Sequence, residues 1–487
     1  MTHNPSASTT SVSAGTSSSP IRGAMRTIFS PSINRSDFQE RSDSTNRPSR
    51  INIVFMQHSI LSKCGVGKRF FQQYSTIWYP GGVLVKRSIV PIAILFLALS
   101  SVLSASAFHE SQNRPPVGME RNEFSMRLFK ILAGQEPGNM LFSPASVHIA
   151  LSMTLNGAGS STRDEMLGIL SPPDATLETL NAETAAMVAS FENLREGTAL
   201  SVANSLWIDQ HYPVSPRFVT DMERSFQAET ASLDFNSPTA AKSINAWVSQ
   251  ATNRKIESII DRLSADMRMV LVNAIHFLAD WKYPFDANDT RNRVFHTSTK
   301  DIRTPFMNKS MSMHLIQVPE GQGVLLPYTD ERMQFFAIMP DTGTVGDWLQ
   351  GQDATLIDAV FAALEQPKTR VELSLPKFLD RFEKPLSRDL QTLGMRIPFD
   401  PDRADFSGMH ADGLKDLFIG EVLHKTFIRV DEKGTEAAAV TAVVMRVTSM
   451  MPTGEQMVFD RPFVYGIVDT ETRSTLFLGI MEHPQAP

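Results

Sequence analysis

The chain has 487 residues, 42% of them apolar and 20% charged, the balance of an ordinary soluble protein and enough length for more than one domain. A net charge of -6 and a pI near 6.0 give no broad attraction to nucleic acid or an anionic membrane. The single cysteine, Cys64, excludes an intrachain disulfide framework and any CxxC redox or zinc motif.

Residues 1 to about 50 are rich in Ser, Thr, Asn, Pro and Arg and show no sustained apolar period, so disorder is expected there. Next comes "VLVKRSIVPIAILFLALSSVLSASAFHE". Lys86 and Arg87 precede an apolar run from Ile89 to Val102, and Ala105-Ser106-Ala107 supplies a small-residue cleavage pattern. That order is the order of a secretory signal, expected over 83–107. The apolar run is shorter than the roughly 20 residues a membrane span prefers, and no basic stop-transfer cluster follows. A signal this far inside a chain is misplaced. The expectation is therefore that translation starts at Val83, Leu84 or Val85, that 1–82 is an over-extended gene model, and that the mature domain is 108–487.

Helical periods open that domain. "RNEFSMRLFKILAG" sets Phe124, Leu128, Ile131 and Leu132 on one face and ends at Gly134. "SPASVHIALSMTLNGAG" is apolar nearly all round, which predicts a buried helix with Ser143 as its cap and Pro144 in its first turn. "TAAKSINAWVSQATN" predicts another amphipathic helix. Strand patterns then take over: "MVLVNAIHFLADW", "MQFFAIMP", "TRVELSLPKF", "HKTFIRVDE", "RPFVYGIVD" and "STLFLGIM". A helix-rich first half followed by a large, mainly antiparallel sheet system is an α+β architecture.

Catalytic chemistry is not written in the sequence. There is no GxSxG, HExxH, P-loop or GxGxxG. Ser374 and Lys377 match SxxK formally, but Pro376 and the alternating "VELSL" make that a strand. The histidines His276, His296, His314, His410 and His424 show no metal-ligand spacing, so neither metal nor cofactor is expected. No helix carries a Lys and Arg run that would mark a polyanion site. Two sequons, at Asn288 and Asn308, matter only in a eukaryotic secretory route.

One stretch decides the reading. In "DEKGTEAAAVTAVVMRVTSMMP", residues 431–452, seventeen residues after Gly434 pass without a proline or another glycine. Thr435, Ala437, Ala439, Thr441, Val443 and Met445 fall on one strand face; Glu436, Ala438, Val440, Ala442, Val444 and Arg446 fall on the other. Both charges share a face, so the uncharged face can meet a core. The first proline, Pro452, comes late. The segment reads as a loop by position and as a central strand by composition.

"DEKGTEAAAVTAVV" resembles the hinge of the serpin reactive loop. "LFSPASVHIALSMTLNGAG", "ANSLWID", "LVNAIHFLADWKYPF", "VELSLPKF", "LGMRIPFDPDRADFSGM" and "FDRPFVYGIVDTETRSTLFLGIMEHP" resemble serpin blocks in the family's order, over nearly all of 108–487. The resemblance implies the serpin fold with a reactive-centre loop at about 432–457, and inhibition of serine proteases rather than enzymatic activity. It implies hinge residues Glu432, Gly434, Thr435, Glu436, Ala437, Ala438 and Ala439. It places Ser143, Ser146, Asn273 and His424 at the shutter beneath the central sheet and Trp281 at the breach above it. Val440 departs from the family, which keeps a smaller residue there, and somewhat slower insertion is expected.

By the family's spacing from Glu432, the reactive bond falls between Thr448 and Ser449; counting back from "FDRPF" lands near Met451. Thr448 suits elastase-like or subtilisin-like proteases, Met450 or Met451 chymotrypsin-like ones, and Arg446 offers trypsin a cut that shortens the dragged segment. The expected partner is such a protease, with no nucleic acid and a monomeric chain. The expected location is outside the cell, or the periplasm in a Gram-negative bacterium.

Overall fold

The computed structural model describes residues 119–135, 138–264, 266–435 and 454–487. The expected signal at 83–107 lies outside the described residues. So do hinge residues Glu436, Ala437, Ala438 and Ala439 and the bond candidates Arg446, Thr448, Ser449, Met450 and Met451.

The strands in chain order are β1 (Met140–Phe142), β2 (Thr198–Asp209), β3 (Glu229–Leu233), β4 (Met269–Asp280), β5 (Arg291–His296), β6 (Asp301–Val318), β7 (Gly321–Pro327) and β8 (Met333–Pro340). They continue as β9 (Thr369–Pro376), β10 (Phe378–Pro385), β11 (Leu423–Val430), β12 (Gly434–Thr435), β13 (Glu455–Val458), β14 (Phe463–Asp469) and β15 (Ser474–Met481). One sheet of six strands runs β10-β11-β12-β4-β2-β3. A second path runs β1-β15-β14-β8-β7-β6-β9-β13, with β5 also on β6. The long strand β6 joins two ladders: Phe306–Met313 pairs with β9 and His314–Val318 with β7.

The predicted buried helix spans Pro144–Leu155. The Ser143 side chain accepts from the Ser146 amide, and apolar residues point in every direction. It has to, because it packs against β4 of the six-stranded sheet and β15 of the other. Strands β14 and β15 are buried at every position, which is why their sequences read as continuous apolar runs.

The opposite face of the six-stranded sheet is covered by helix Ala240–Ala251. Its Ile244 and Val248 close a smaller core with Trp207, Phe235, Ile260 and Val272. Each expected helix and strand forms. The division into a helical first half and a sheet-forming remainder is less sharp than expected, because β2 and β3 fall among the early helices.

Candidate functional site at the hinge of the central sheet

Gly434 and Thr435 form β12, a two-residue strand wedged between β11 and β4. Thr435 pairs with Val430 on one side and Ala279 on the other, and Gly434 pairs with Asp280. β11 and β4 therefore run parallel to each other with a hinge residue between them. Only glycine fits at 434: a Cβ there would lie 2.0 Å from the Ala279 carbonyl oxygen. Thr435 is 1% exposed, and its hydroxyl meets the Tyr328 hydroxyl at 2.6 Å. Tyr328 stacks on Trp281, with ring centroids 4.6 Å apart.

Trp281 holds the chain entering the hinge. Its indole Nε1 donates to the Asp431 carbonyl at 2.9 Å and its backbone amide to the Lys433 carbonyl at 2.7 Å. Glu432 is fixed on both carboxylate oxygens, by the Thr290 hydroxyl at 2.8 Å and the Lys377 ammonium at 2.8 Å. Burial raises the Glu432 pKa, but the bonds from Lys377 and Thr290 outweigh it and the carboxyl is held below its usual range.

Farther along the same sheet lies a chain of polar contacts. The Ser143 amide donates to His424 Nε2 at 3.1 Å, and the Ser146 hydroxyl donates to Asn273 Oδ1. Asn273 Nδ2 donates to Asn204 Oδ1 at 2.6 Å, and Asn204 Nδ2 to the Phe226 carbonyl at 2.6 Å. An amide nitrogen can only donate, so His424 Nε2 must be an acceptor and the ring neutral. Burial agrees, pushing the His424 pKa down to about 4. His424 lies in β11 and Asn273 in β4, so the cluster links the helix beneath to both strands that flank β12.

A family model described as Serpin (serine protease inhibitor) matches residues 119–484. The chain belongs to the serpin family. It is 33% identical over 380 residues to a serpin-like protein of Thermococcus kodakarensis, covering 77% of this chain and 87% of that one. It is 30% identical over 391 residues to the human leukocyte elastase inhibitor, covering 74% and 97%. Among solved structures it resembles the thermophilic serpin tengpin in the native state, at TM-score 0.68 and 30% identity, covering 75% of this chain and 93% of tengpin. It also resembles thyroxine-binding globulin complexed with thyroxine, at TM-score 0.67 and 26% identity, covering 75% and 98%. The family is one of protease inhibitors, not enzymes, and its general targets are serine proteases.

The structure places Glu432, Gly434, Thr435 and Trp281, expected at the hinge and breach, together at one end of the sheet, and Ser143, Ser146, Asn273 and His424, expected at the shutter, farther along it. Sequence reasoning missed Tyr328, Thr290 and Lys377 at the hinge and Asn204 in the polar chain. No local pattern marks them; each meets its partner across a long stretch of chain, as Tyr328 and Thr435 do from 107 positions apart. The SxxK pair is structural. Ser374 donates to Asn308 Oδ1 at 2.6 Å, while Lys377 is taken by Glu432.

Proposed function

We propose that this serpin is a secreted inhibitor of serine proteases that acts as a suicide substrate. A target protease attacks the loop between Thr448 and Ser449 and forms an acyl-enzyme. The severed loop then enters the six-stranded sheet as a central strand and drags the protease with it. The observation that carries this reading is β12: insertion has its first two residues already seated between β11 and β4, with Thr435 facing the core.

Continuing that register one residue at a time sets Thr441 opposite both Asn273 and His424, where a hydroxyl can take up the hydrogen bonds of the polar chain. Alternation from Thr435 keeps Ala437, Ala439, Thr441, Val443 and Met445 on the core side and leaves Glu436 and Arg446 on the other. A strand of about fourteen residues adds roughly 25 ladder hydrogen bonds at about 0.5–1 kcal/mol each, on the order of 10–25 kcal/mol in all. A protease domain is stable by only about 5–15 kcal/mol, so insertion has the free energy to distort it.

Secretion is supported by the basic, apolar and A-x-A order of 83–107, and N-terminal sequencing of the natively expressed protein should begin at Phe108. Thr448 favours elastase-like or subtilisin-like targets, with Arg446, Met450 and Met451 as the competing positions. A non-inhibitory role, as carrier, chaperone or plain protease substrate, is the second reading, favoured by the likeness to thyroxine-binding globulin. A denaturing gel of the purified chain with a panel of serine proteases separates the two. An SDS-resistant complex means inhibitor; clean cleavage or no reaction across the panel means the second reading. The C-terminal peptide released from a denatured complex should begin at Ser449; a start at Val447, Met451 or Pro452 moves the bond.

A further inference from the structure

Arg291 and Arg293 stand two apart on β5, so both side chains lie on one face of the ladder that β5 forms with β6, β9 and β13. That face is not flat. Between the two arginines, Lys309 of β6 and Ser374 of β9 lies an open cavity of about 640 Å³, the size of a small-molecule site. Arg293 is built into place. Its Nη1 donates to the Ser374 hydroxyl at 2.8 Å, and Ser374 donates to Asn308 Oδ1 at 2.6 Å. Asn308 Nδ2 in turn donates to the Asp289 carbonyl at 2.8 Å and the Phe306 carbonyl at 3.0 Å. Ser374 is buried, and the guanidinium lies over the Phe306 ring, 5.9 Å from its centroid.

Arg291 is fastened by Nη1 to the backbone carbonyls of Asn288 and Thr290, and Lys309 Nζ donates to the Pro284 carbonyl at 2.7 Å. Each of these hydrogen-bond partners is neutral. They orient the cations without cancelling their charge, and a guanidinium has five N–H groups, of which Arg293 spends one on Ser374. Two guanidinium groups side by side, with donors to spare, match the oxygens of a tetrahedral oxyanion, which arginine binds through paired N–H···O bonds. Glu372 and Asp289 also border the cavity. Their charges oppose a long polyanion laid along the face and leave room for a compact one between the arginines. We infer that this cavity binds a small dianionic oxyanion with the chemistry of phosphate, either the free ion or the phosphate of a small phosphomonoester, anchored on Arg293 with Arg291 beside it. The site stands whether or not the chain inhibits a protease.

Calorimetric titration of the full chain with inorganic phosphate and with glycerol phosphate, at constant ionic strength, tests it. One saturable site with a Kd on the order of 1 mM is expected. Arg293→Gln should weaken binding about tenfold, because it removes the charge and the fork together. Arg291→Gln should weaken it severalfold, and since Arg291 is exposed this variant keeps the test open if Arg293→Gln does not fold. Arg217→Gln, on helix Pro216–Phe226 with its side chain 92% exposed, should leave binding unchanged. Tighter binding of glycerol phosphate assigns the ester as the ligand; equal or weaker binding assigns the free ion. No saturation by either probe up to about 50 mM, or equal weakening by Arg217→Gln and Arg293→Gln, overturns the inference.

Discussion

Gly434 is where the mechanism is most exposed to a single atom. A Cβ would lie 2.0 Å from the Ala279 carbonyl, so Gly434→Ala should displace β12 from between β11 and β4. The variant is expected to fold, to be cut, and to lose nearly all complex formation on a denaturing gel. Thr435→Arg should do the same, because the position beside Tyr328 is buried and a guanidinium cannot enter it unpaired. Undiminished yields of complex from either variant contradict the insertion account. His424 gives the residue scale a pH dependence. Its pKa of about 4 in the fold compares with 6.5 for a free histidine, and His148, also buried, behaves alike. Above about pH 6.5 both states are neutral and stability is complete. Between there and pH 4 the unfolded chain takes up a proton the native ring refuses, and each ring costs up to about 1.4 kcal/mol per pH unit. Asp380 works in the opposite sense: burial pushes its carboxyl up to about 6, so its penalty is relieved as pH falls. The difference between variants isolates the ring. In His424→Gln, the loss of stability from pH 7 to 5 should be smaller than in the parent by about 2 kcal/mol in denaturant titrations; equal losses would show that His424 is not held neutral. Ser143 and the hinge glycine were legible as residues because each serves its own neighbourhood, one as a helix cap and one in a motif. Tyr328 and Lys377 act on residues far off in the chain, where no periodicity points.

At the scale of elements, the proposed insertion has to part the two halves of the six-stranded sheet. Phe427 on β11 lies between two cations, Lys255 at 5.3 Å and Arg381 at 5.2 Å from the ring centroid. Arg381 belongs to β10 and travels with β11, whereas Lys255 follows helix Ala240–Ala251, whose core contacts lie on the β2 and β4 side. Extending β12 by further residues separates the two halves by a strand spacing of about 4.8 Å, which the Lys255 contact cannot span. A cation over a partly exposed aromatic ring contributes on the order of 0.5–1 kcal/mol, so Lys255→Gln should insert its cleaved loop roughly two- to fivefold faster. Trp281 fluorescence after loop cleavage is the reporter, and an unchanged rate would place the resistance elsewhere. The elements differed in how plainly they were written. β14 and β15, buried throughout, read as strands at once. β6 did not: in "DIRTPFMNKSMSMHLIQV" its core-facing positions alternate with polar ones and change partners midway, so no single period runs its length. β12 was legible only as the start of a longer strand-like segment, not as a strand by itself. Two residues beginning with glycine become one only because β11 and β4 supply both edges.

Over the whole molecule, the inhibitory reading implies a metastable sheet. On the inhibitory reading proposed above, the free energy of a full central strand is collected only when the cleaved loop extends β12 beyond Thr435. That state was legible in the sequence only as a contradiction, a segment with the composition of a central strand in the place of a loop. Its resolution needs the sheet order, which no local pattern carries. The measurement that tests this most directly is thermal unfolding of the purified chain before and after its loop is cut by a protease it does not capture. If the loop inserts, the added strand on the order of 10–25 kcal/mol should raise the unfolding midpoint by at least about 10 °C. An unchanged or lowered midpoint in the cut chain would mean that the loop stays outside the sheet, and that β12 is a fixed strand rather than the start of one.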